Sequence, residues 1–216
     1  MMAKTDERQM DVMQARADAY GFYRRLFQTE ADEALVKGLR GIAYADDGSF
    51  GGYFTAVASR TDAEIAQELR CDFARLFLGM SKHPVAPYES VFMSEYHLLM
   101  QEQRDEVLAV YRREGLSVED GFGLPEDHLA VELGFMESLC RRSAHALAAH
   151  DDDEYRRLKA MQCDFIRDHL ARWVPLFASE VRMQENGHSS SPSFYGTAAQ
   201  LLEDFIGSDM EWADTE

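Results

Sequence analysis

Apolar residues recur every three or four positions along most of this chain, and no segment alternates apolar and polar residues as a β-strand does. The clearest stripe lies between residues 129 and 140. It is formed by Leu129, Leu133, Met136 and Cys140 and widened by Val131, Phe135 and Leu139. A helix that is apolar over so much of its surface should be central to the core. The sequence therefore predicts an all-α fold, a compact multi-helix bundle.

Residues that are typical of helix starts predict the positions of further helices. Thr61 and Glu64 form a capping box ahead of a helix that runs towards Gly79. Pro125 fits the first position of the central helix, where its missing N–H would have no partner in any case. Ser191 and Pro192 predict the start of the last helix in the same way.

Stop signals are equally local. A middle helix is predicted over residues 95–113 and should stop at Gly115. Pro175 should end or kink the helix that contains it, because proline cannot donate the helical hydrogen bond. The acidic tail after Gly207 should fray.

The chain has 216 residues, which suits one sizeable core. We expect a single domain, residues 1–216, built from two packed halves of about 1–115 and 125–216. A hinge loop that contains glycine and proline joins the halves. This loop could straighten and let one half pack on a neighbouring chain, so we expect a monomer that can also form a domain-swapped dimer.

The formal net charge of −17 excludes a binder of nucleic acid or anionic lipid, because such proteins need cations. A charged partner should therefore be basic. The N-terminus has no apolar signal-peptide core and no run of about 18 apolar residues occurs, so we expect a cytoplasmic protein without stable membrane insertion. Cys71, Cys140 and Cys163 stand among helical apolar positions and predict buried free thiols, with no disulfide framework or zinc motif.

Asp127 and His128 form the pair that most resembles a catalytic site, since an acid beside an imidazole can bind metal or move protons. Neighbours on a helix point about 100° apart, so the pair alone does not make a shared ligand face. The other histidines form no HxxxH or HExxH set. A helix-start role, a ligand-contacting role and a small helical metal-dependent hydrolase all stay open.

A second segment of interest, HPVAPYESVF, combines stiff backbone, aromatic surface and one hydroxyl at Pro84, Pro87, Tyr88, Ser90 and Phe92. It could be a packed crossover or the wall of a groove for an apolar peptide, and composition leaves both alternatives open. We expect a site where this loop meets the break GFGLPEDH.

Four successive motifs carry a resemblance to a known family. They are RLFLG, PYESVF, PEDHL at a helix start, and Phe165, His169, Leu170, Trp173, Pro175, Phe177 and Ala178 in the pattern FxxxHLxxWxPxFA. From about residue 61 to residue 206 the chain resembles the TorD/DmsD/NarJ-like family. These are cytoplasmic chaperones for molybdopterin oxidoreductases that are exported by the twin-arginine pathway.

The resemblance implies recognition of a twin-arginine signal peptide, and in some cases of the client's body, with no catalysis, no cofactor and no metal. The client would be the catalytic subunit of a molybdopterin-dependent oxidoreductase. Two adjacent arginines and an apolar stretch should meet carboxylates beside an apolar groove. The predicted peptide-binding residues are Leu76, Phe77, Tyr88, Glu89, Ser90, Phe92, Pro125, Glu126, Asp127 and His128, among which Glu89, Glu126 and Asp127 would supply available charges.

Two other functions compete with this one. The first is the hydrolase that would use Asp127 and His128, and the second is a helical adaptor without a link to export. We favour a role for these two residues in lining a groove, so Asp127→Asn and His128→Ala should each weaken client binding while the melting temperature hardly changes.

Overall fold

The structure, a computed structural model, describes residues 2–45, 50–116, 123–186 and 192–215. Within these ranges the secondary structure is helical, without strands. The helices are α1 (Met2–Gln28), α2 (Glu33–Ala45), α3 (Gly51–Ala56), α4 (Asp62–Phe77), α5 (Glu89–Met93), α6 (Glu102–Arg113), α7 (Leu129–Ala148), α8 (Asp152–Phe165), α9 (Ala171–Asn186) and α10 (Phe194–Thr215), with a π-helical turn at Ile166–Leu170. The predicted all-α fold is confirmed.

The chain divides into two compact units. Unit 1 consists of Met1–Gln28, Tyr88–Trp173 and Ile206–Glu216, and unit 2 consists of Thr29–Pro87 and Val174–Phe205. Each unit thus contains residues from both sides of the expected hinge, so this division differs from the halves 1–115 and 125–216. Residues 117–122 of the hinge loop lie outside the described residues.

In unit 1, α7 packs along α1 on one side and contacts α8 on another. The four residues that form its apolar stripe, Leu129, Leu133, Met136 and Cys140, are fully buried, as the sequence predicts for a central helix. The C-terminal part of α10 belongs to this unit and does not fray after Gly207. It stays helical to Thr215, and buried Asp209 accepts hydrogen bonds from Arg16 at 2.6 and 2.8 Å.

In unit 2, α2 contacts α3 and α4. The predicted capping box of α4 is present, with the Thr61 N–H donating to Glu64 Oε2 at 2.8 Å and the Glu64 N–H donating to Thr61 Oγ1 at 3.2 Å. Gly79 has a φ of +76°, which suits the residue that follows a helix end. Cys71 is exposed rather than buried, whereas Cys140 is buried and Cys163 is half-buried.

The predicted starts of the middle helix and of the central helix are wrong. The middle helix begins at Glu102, not at residue 95, because His97 and Met100 have φ values of 52° and 58°, which an α-helix cannot contain. The central helix begins at Leu129 rather than at Pro125, which instead starts a turn closed by a 3.1 Å bond from His128 N–H to the Pro125 carbonyl.

The helix around Pro175 does not end there. The chain stays helical from α8 through the π-helical turn into α9, and Pro175 lies inside α9. The π-helical turn at Ile166–Leu170 lies directly before α9. Such turns occur inside longer helices where the regular pattern of backbone hydrogen bonds is interrupted. The last helix starts at Phe194 rather than at the predicted Pro192, and Ser193 caps it by accepting from Gly196 N–H at 3.0 Å. Ser191 lies outside the described residues.

Candidate functional site

The two segments singled out in the sequence are joined through their backbones in unit 1. Tyr88 and His128 form an isolated antiparallel bridge, and the Glu89 N–H donates to the Asp127 carbonyl at 3.0 Å. The rings of Tyr88 and His128 pack edge to face with centroids 4.9 Å apart. The segments therefore meet at the starts of α5 and α7, which makes this junction the candidate site.

Asp127 fixes the start of α5. Its side chain is fully buried, and Oδ2 accepts a 3.0 Å hydrogen bond from the Ser90 N–H in the first turn of that helix. First-turn N–H groups have no partner inside their own helix, so a carboxylate placed there satisfies them and complements the helix dipole. Asp127 thus orders the segment that carries Ser90 and Phe92.

His128 caps α7. Its Nδ1 accepts from the Ala130 N–H at 3.0 Å, so the ring proton is on Nε2. Burial lowers the pKa of His128 to about 4, and the imidazole is therefore neutral at neutral pH. Asp127 and His128 are both occupied by backbone groups rather than aimed at a common point, and no cluster of three potential metal ligands occurs among the described residues.

A buried polar network lies behind this junction. His169 Nδ1 and Glu89 Oε2 are 2.9 Å apart, and the Trp173 Nε1–H donates to Glu132 Oε2 at 3.0 Å. Burial, followed by the charge of Glu89, raises the pKa of Glu132 well above its ordinary value. Burial and the nearby charge of Glu89 both favour the protonated form of Glu132.

Sequence reasoning missed Glu132 as part of the site. The signal that could have found it is its isolation, since it is the one charged residue among the apolar residues of LAVELGFM at the start of α7. A carboxyl group on the buried face of a helix needs a partner, and here Trp173 of α9 supplies it. His169 and Trp173 appeared only as letters of the family pattern.

The accessible part of the junction is formed by Tyr88, Phe92, Pro125 and Glu126, all half-buried. Burial and the charge of Asp127 raise the pKa of Tyr88, so its hydroxyl stays protonated. The ring of Phe92 stacks on Trp173 with centroids 5.7 Å apart. Glu126 pairs with Arg104 at 2.6 Å.

Three predicted site residues differ from the expectation of surface groups. Glu89, Ser90 and Asp127 are fully buried, so Glu89 and Asp127 are not available charges for a peptide in this conformation. The Asp127 carboxylate binds the first turn of α5 instead, and the Glu89 carboxyl group lies against His169. Glu126 is the predicted carboxylate that lies near the surface.

Leu76 and Phe77 lie at the end of α4 in unit 2. Leu76 is buried, and its carbonyl accepts a 2.7 Å bond from the Val85 N–H. Phe77 is half-buried and packs against Phe177 and Tyr195 with ring centroids 6.1 and 5.5 Å away. In their own unit both residues therefore serve the packing between helices.

Comparison with known proteins identifies the family of this chain. The sequence profile of the family described as "Nitrate reductase delta subunit" matches residues 29–179. The chain belongs to this family. The family membership expected from the motifs is thus confirmed.

Proteins described as "Chaperone protein TorD" are among its relatives. The protein from Photobacterium profundum is 29% identical over 71% of this chain and 67% of its own length. The protein from Shewanella pealeana is 29% identical over 95% of this chain and 92% of its own. The protein from Vibrio parahaemolyticus is 32% identical over 66% of this chain and 62% of its own. These relatives favour the chaperone function over the hydrolase.

Across the described ranges, no helix combines the length and the apolar composition that a membrane-spanning segment needs.

Proposed function

We propose that this protein is a maturation chaperone for a molybdopterin-dependent oxidoreductase. It would bind the twin-arginine signal peptide of the catalytic subunit in the cytoplasm and hold that subunit until cofactor insertion and folding are complete. The observation that carries the proposal is membership of the family, whose profile covers the residues that build the site. The relatives' description as TorD chaperones supports it.

The site chemistry fits such a peptide. Tyr88 and Phe92 provide half-buried aromatic surface, and Glu126 provides a carboxylate beside it. A peptide guanidinium could replace Arg104 as the partner of Glu126, because the Arg104 side chain is 28% exposed and can move into solvent. The buried residues Glu89, Ser90, Asp127 and His128 would act by positioning this surface, not by touching the peptide.

Titration calorimetry with a synthetic twin-arginine signal peptide tests the proposal. We expect measurable heat of binding. Replacement of both peptide arginines by alanine should weaken binding only partly, since an exposed charge pair contributes about 1 kcal/mol or less while apolar burial contributes about 25 cal/mol per Å². Absence of binding at high micromolar peptide, with the helical circular dichroism signal intact, would contradict the proposed function.

The variant Glu126→Gln locates the arginine contact. It should reduce affinity for the twin-arginine peptide by roughly two- to fivefold and leave the melting temperature nearly unchanged. Glu203→Gln is a matched control, because Glu203 pairs with Arg182 at 2.6 Å and both side chains are similarly exposed. Equal effects of the two variants would place the arginine contact elsewhere.

A further inference from the structure

A short run of exposed apolar side chains follows α5. Four of the nine large apolar side chains that are exposed in the described part of the chain fall within residues 96–100. They are Tyr96, Leu98, Leu99 and Met100, with exposed fractions of 69%, 57%, 46% and 61%. Single exposed apolar residues are ordinary on a protein surface, whereas a cluster of four indicates an interaction surface.

Hydrogen bonds hold this run in its outward-facing shape. His97 Nδ1 lies 2.8 Å from the Val91 carbonyl, and the Gln101 side-chain amide donates to the Leu99 carbonyl at 2.9 Å. His97 and Met100 adopt positive φ, which costs an L-residue about 1 kcal/mol or more. The run is therefore an ordered turn with its own hydrogen bonds, and not a frayed helix end.

Acidic residues border the run on both sides. Glu95 precedes it, and Glu102, Asp105 and Glu106 follow in the first turns of α6, all exposed. The nearest arginine on α6, Arg104, is paired with Glu126. An apolar patch with a negative border complements an apolar segment that carries cations at its end, and it disfavours a second copy of a chain with net charge −17.

The run is also continuous with the candidate site. It follows directly on α5, which carries Phe92, and α5 packs against α6. The Arg104–Glu126 pair links α6 to the segment before α7. A peptide whose arginines lie near Glu126 could therefore contact the apolar run at residues 96–100 within the same unit.

We propose that Tyr96, Leu98, Leu99 and Met100 form a docking surface for the apolar stretch that follows the arginines of the signal peptide. This inference rests on the proposed function. It assigns the apolar half of the peptide to a segment outside the motifs that define the family resemblance.

The test is a double-mutant cycle between protein and peptide. On the protein side, Leu98→Ser is combined with Leu99→Ser. On the peptide side, leucines of the apolar stretch are replaced by serine while the two arginines are kept. With the apolar peptide, the protein variant should lose about tenfold in affinity, because two leucines no longer become buried. With the serine peptide, the same variant should lose less than twofold, since the two changes remove one shared contact.

Ile42→Ser combined with Met183→Ser is the matched control, because these apolar residues of unit 2 are 62% and 65% exposed. It should bind both peptides as the wild type does. If the Leu98→Ser, Leu99→Ser variant loses the same affinity for both peptides, or loses none, the docking surface is wrong. Binding by the wild type would still support the proposed function in that case. Failure of the wild type to bind either peptide would overturn both. Self-association of the wild type that disappears in the Leu98→Ser, Leu99→Ser variant would show that a second copy covers the surface, and would also overturn the inference.

Discussion

The indole of Trp173 donates a hydrogen bond to Glu132 at 3.0 Å, and both side chains are fully buried. This bond joins the first turns of α7 and α9 beneath the candidate site. The charge of Glu89 also acts on Glu132, and Glu89 Oε2 lies 2.9 Å from His169 Nδ1. An ionised Glu132 would repel Glu89 at the start of α5, so the protonated form of this buried carboxyl group favours the position of that helix.

Glu132 should make the protein less stable as the pH rises. Its pKa is raised in the folded state, so above the ordinary value of 4.5 the unfolded chain releases a proton that the folded chain retains. Glu132→Gln keeps a neutral side chain whose amide oxygen can accept from Trp173. We expect this variant to be at least as stable as the wild type at pH 8, with a smaller fall in the free energy of unfolding between pH 5 and pH 8.

Urea denaturation at several pH values measures this effect, and Glu106→Gln, which changes an exposed carboxylate, is its control. If Glu132→Gln instead lost about 2 kcal/mol or more at pH 8, the carboxyl group would have to be ionised and its charge stabilising.

His128 should have the opposite dependence. Its pKa is lowered from 6.5 to about 4 by burial, so between these values the unfolded chain binds a proton that the folded chain does not. Stability contributed by the neutral imidazole is complete above pH 6.5 and is lost as the pH falls towards 4, at up to about 1.4 kcal/mol per pH unit. His128→Asn keeps a capping side chain and should flatten this slope in acid denaturation curves followed by circular dichroism.

The same variant separates two roles of His128. If the residue only caps α7, peptide affinity should fall no further than stability does. A large loss of affinity in His128→Asn at pH 7, with an unchanged melting temperature, would show that the ring supports the peptide surface, through its packing on Tyr88 or by contact with the peptide.

The parts of this fold that could be predicted from the sequence are the local ones. The capping box at Thr61 and Glu64 needs groups only three residues apart, and the stripe of α7 needs only the helical period. The start of α6 could not be predicted, because nothing in the composition of residues 95–101 requires His97 and Met100 to adopt positive φ. The contact of His97 Nδ1 with the Val91 carbonyl becomes visible only in three dimensions.

The candidate site shows the same division. The meeting of the segments around Tyr88 and His128 could be predicted, because both carry residues that are neither ordinary core nor ordinary surface. The burial of Glu89 could not, since its partner His169 is 80 residues away and periodicity does not determine which helices pack together. Acidic character alone suggested a surface charge, and tertiary contacts decided otherwise.

The ion pair between Arg16 and Asp209 should be a main support of unit 1. The two residues are 193 positions apart, and Arg16 also donates to Gln162 at 2.5 Å. Asp209→Asn would leave a buried guanidinium without its counter-charge, which costs about 3–5 kcal/mol. Urea denaturation should show this loss, whereas Asp204→Asn, an exposed change on the same helix, should stay within about 0.5 kcal/mol of the wild type. Similar stabilities of the two variants would mean that solvent compensates Arg16.

The hinge loop should permit exchange between molecules. Both units contain residues from before and after residues 117–122, so two chains that exchange their C-terminal parts would rebuild each unit from the same contacts. The main cost is the conformational entropy of the joined chains, and a slowly exchanging dimer should accumulate as concentration rises. Size-exclusion chromatography of the wild type, before and after brief incubation in mild urea, should show a dimer beside the monomer.

Shortening the loop by deletion of residues 119–121 should favour the dimer, because a shorter connection strains the monomer first. A single monomer peak for both proteins at every concentration would contradict exchange through this loop.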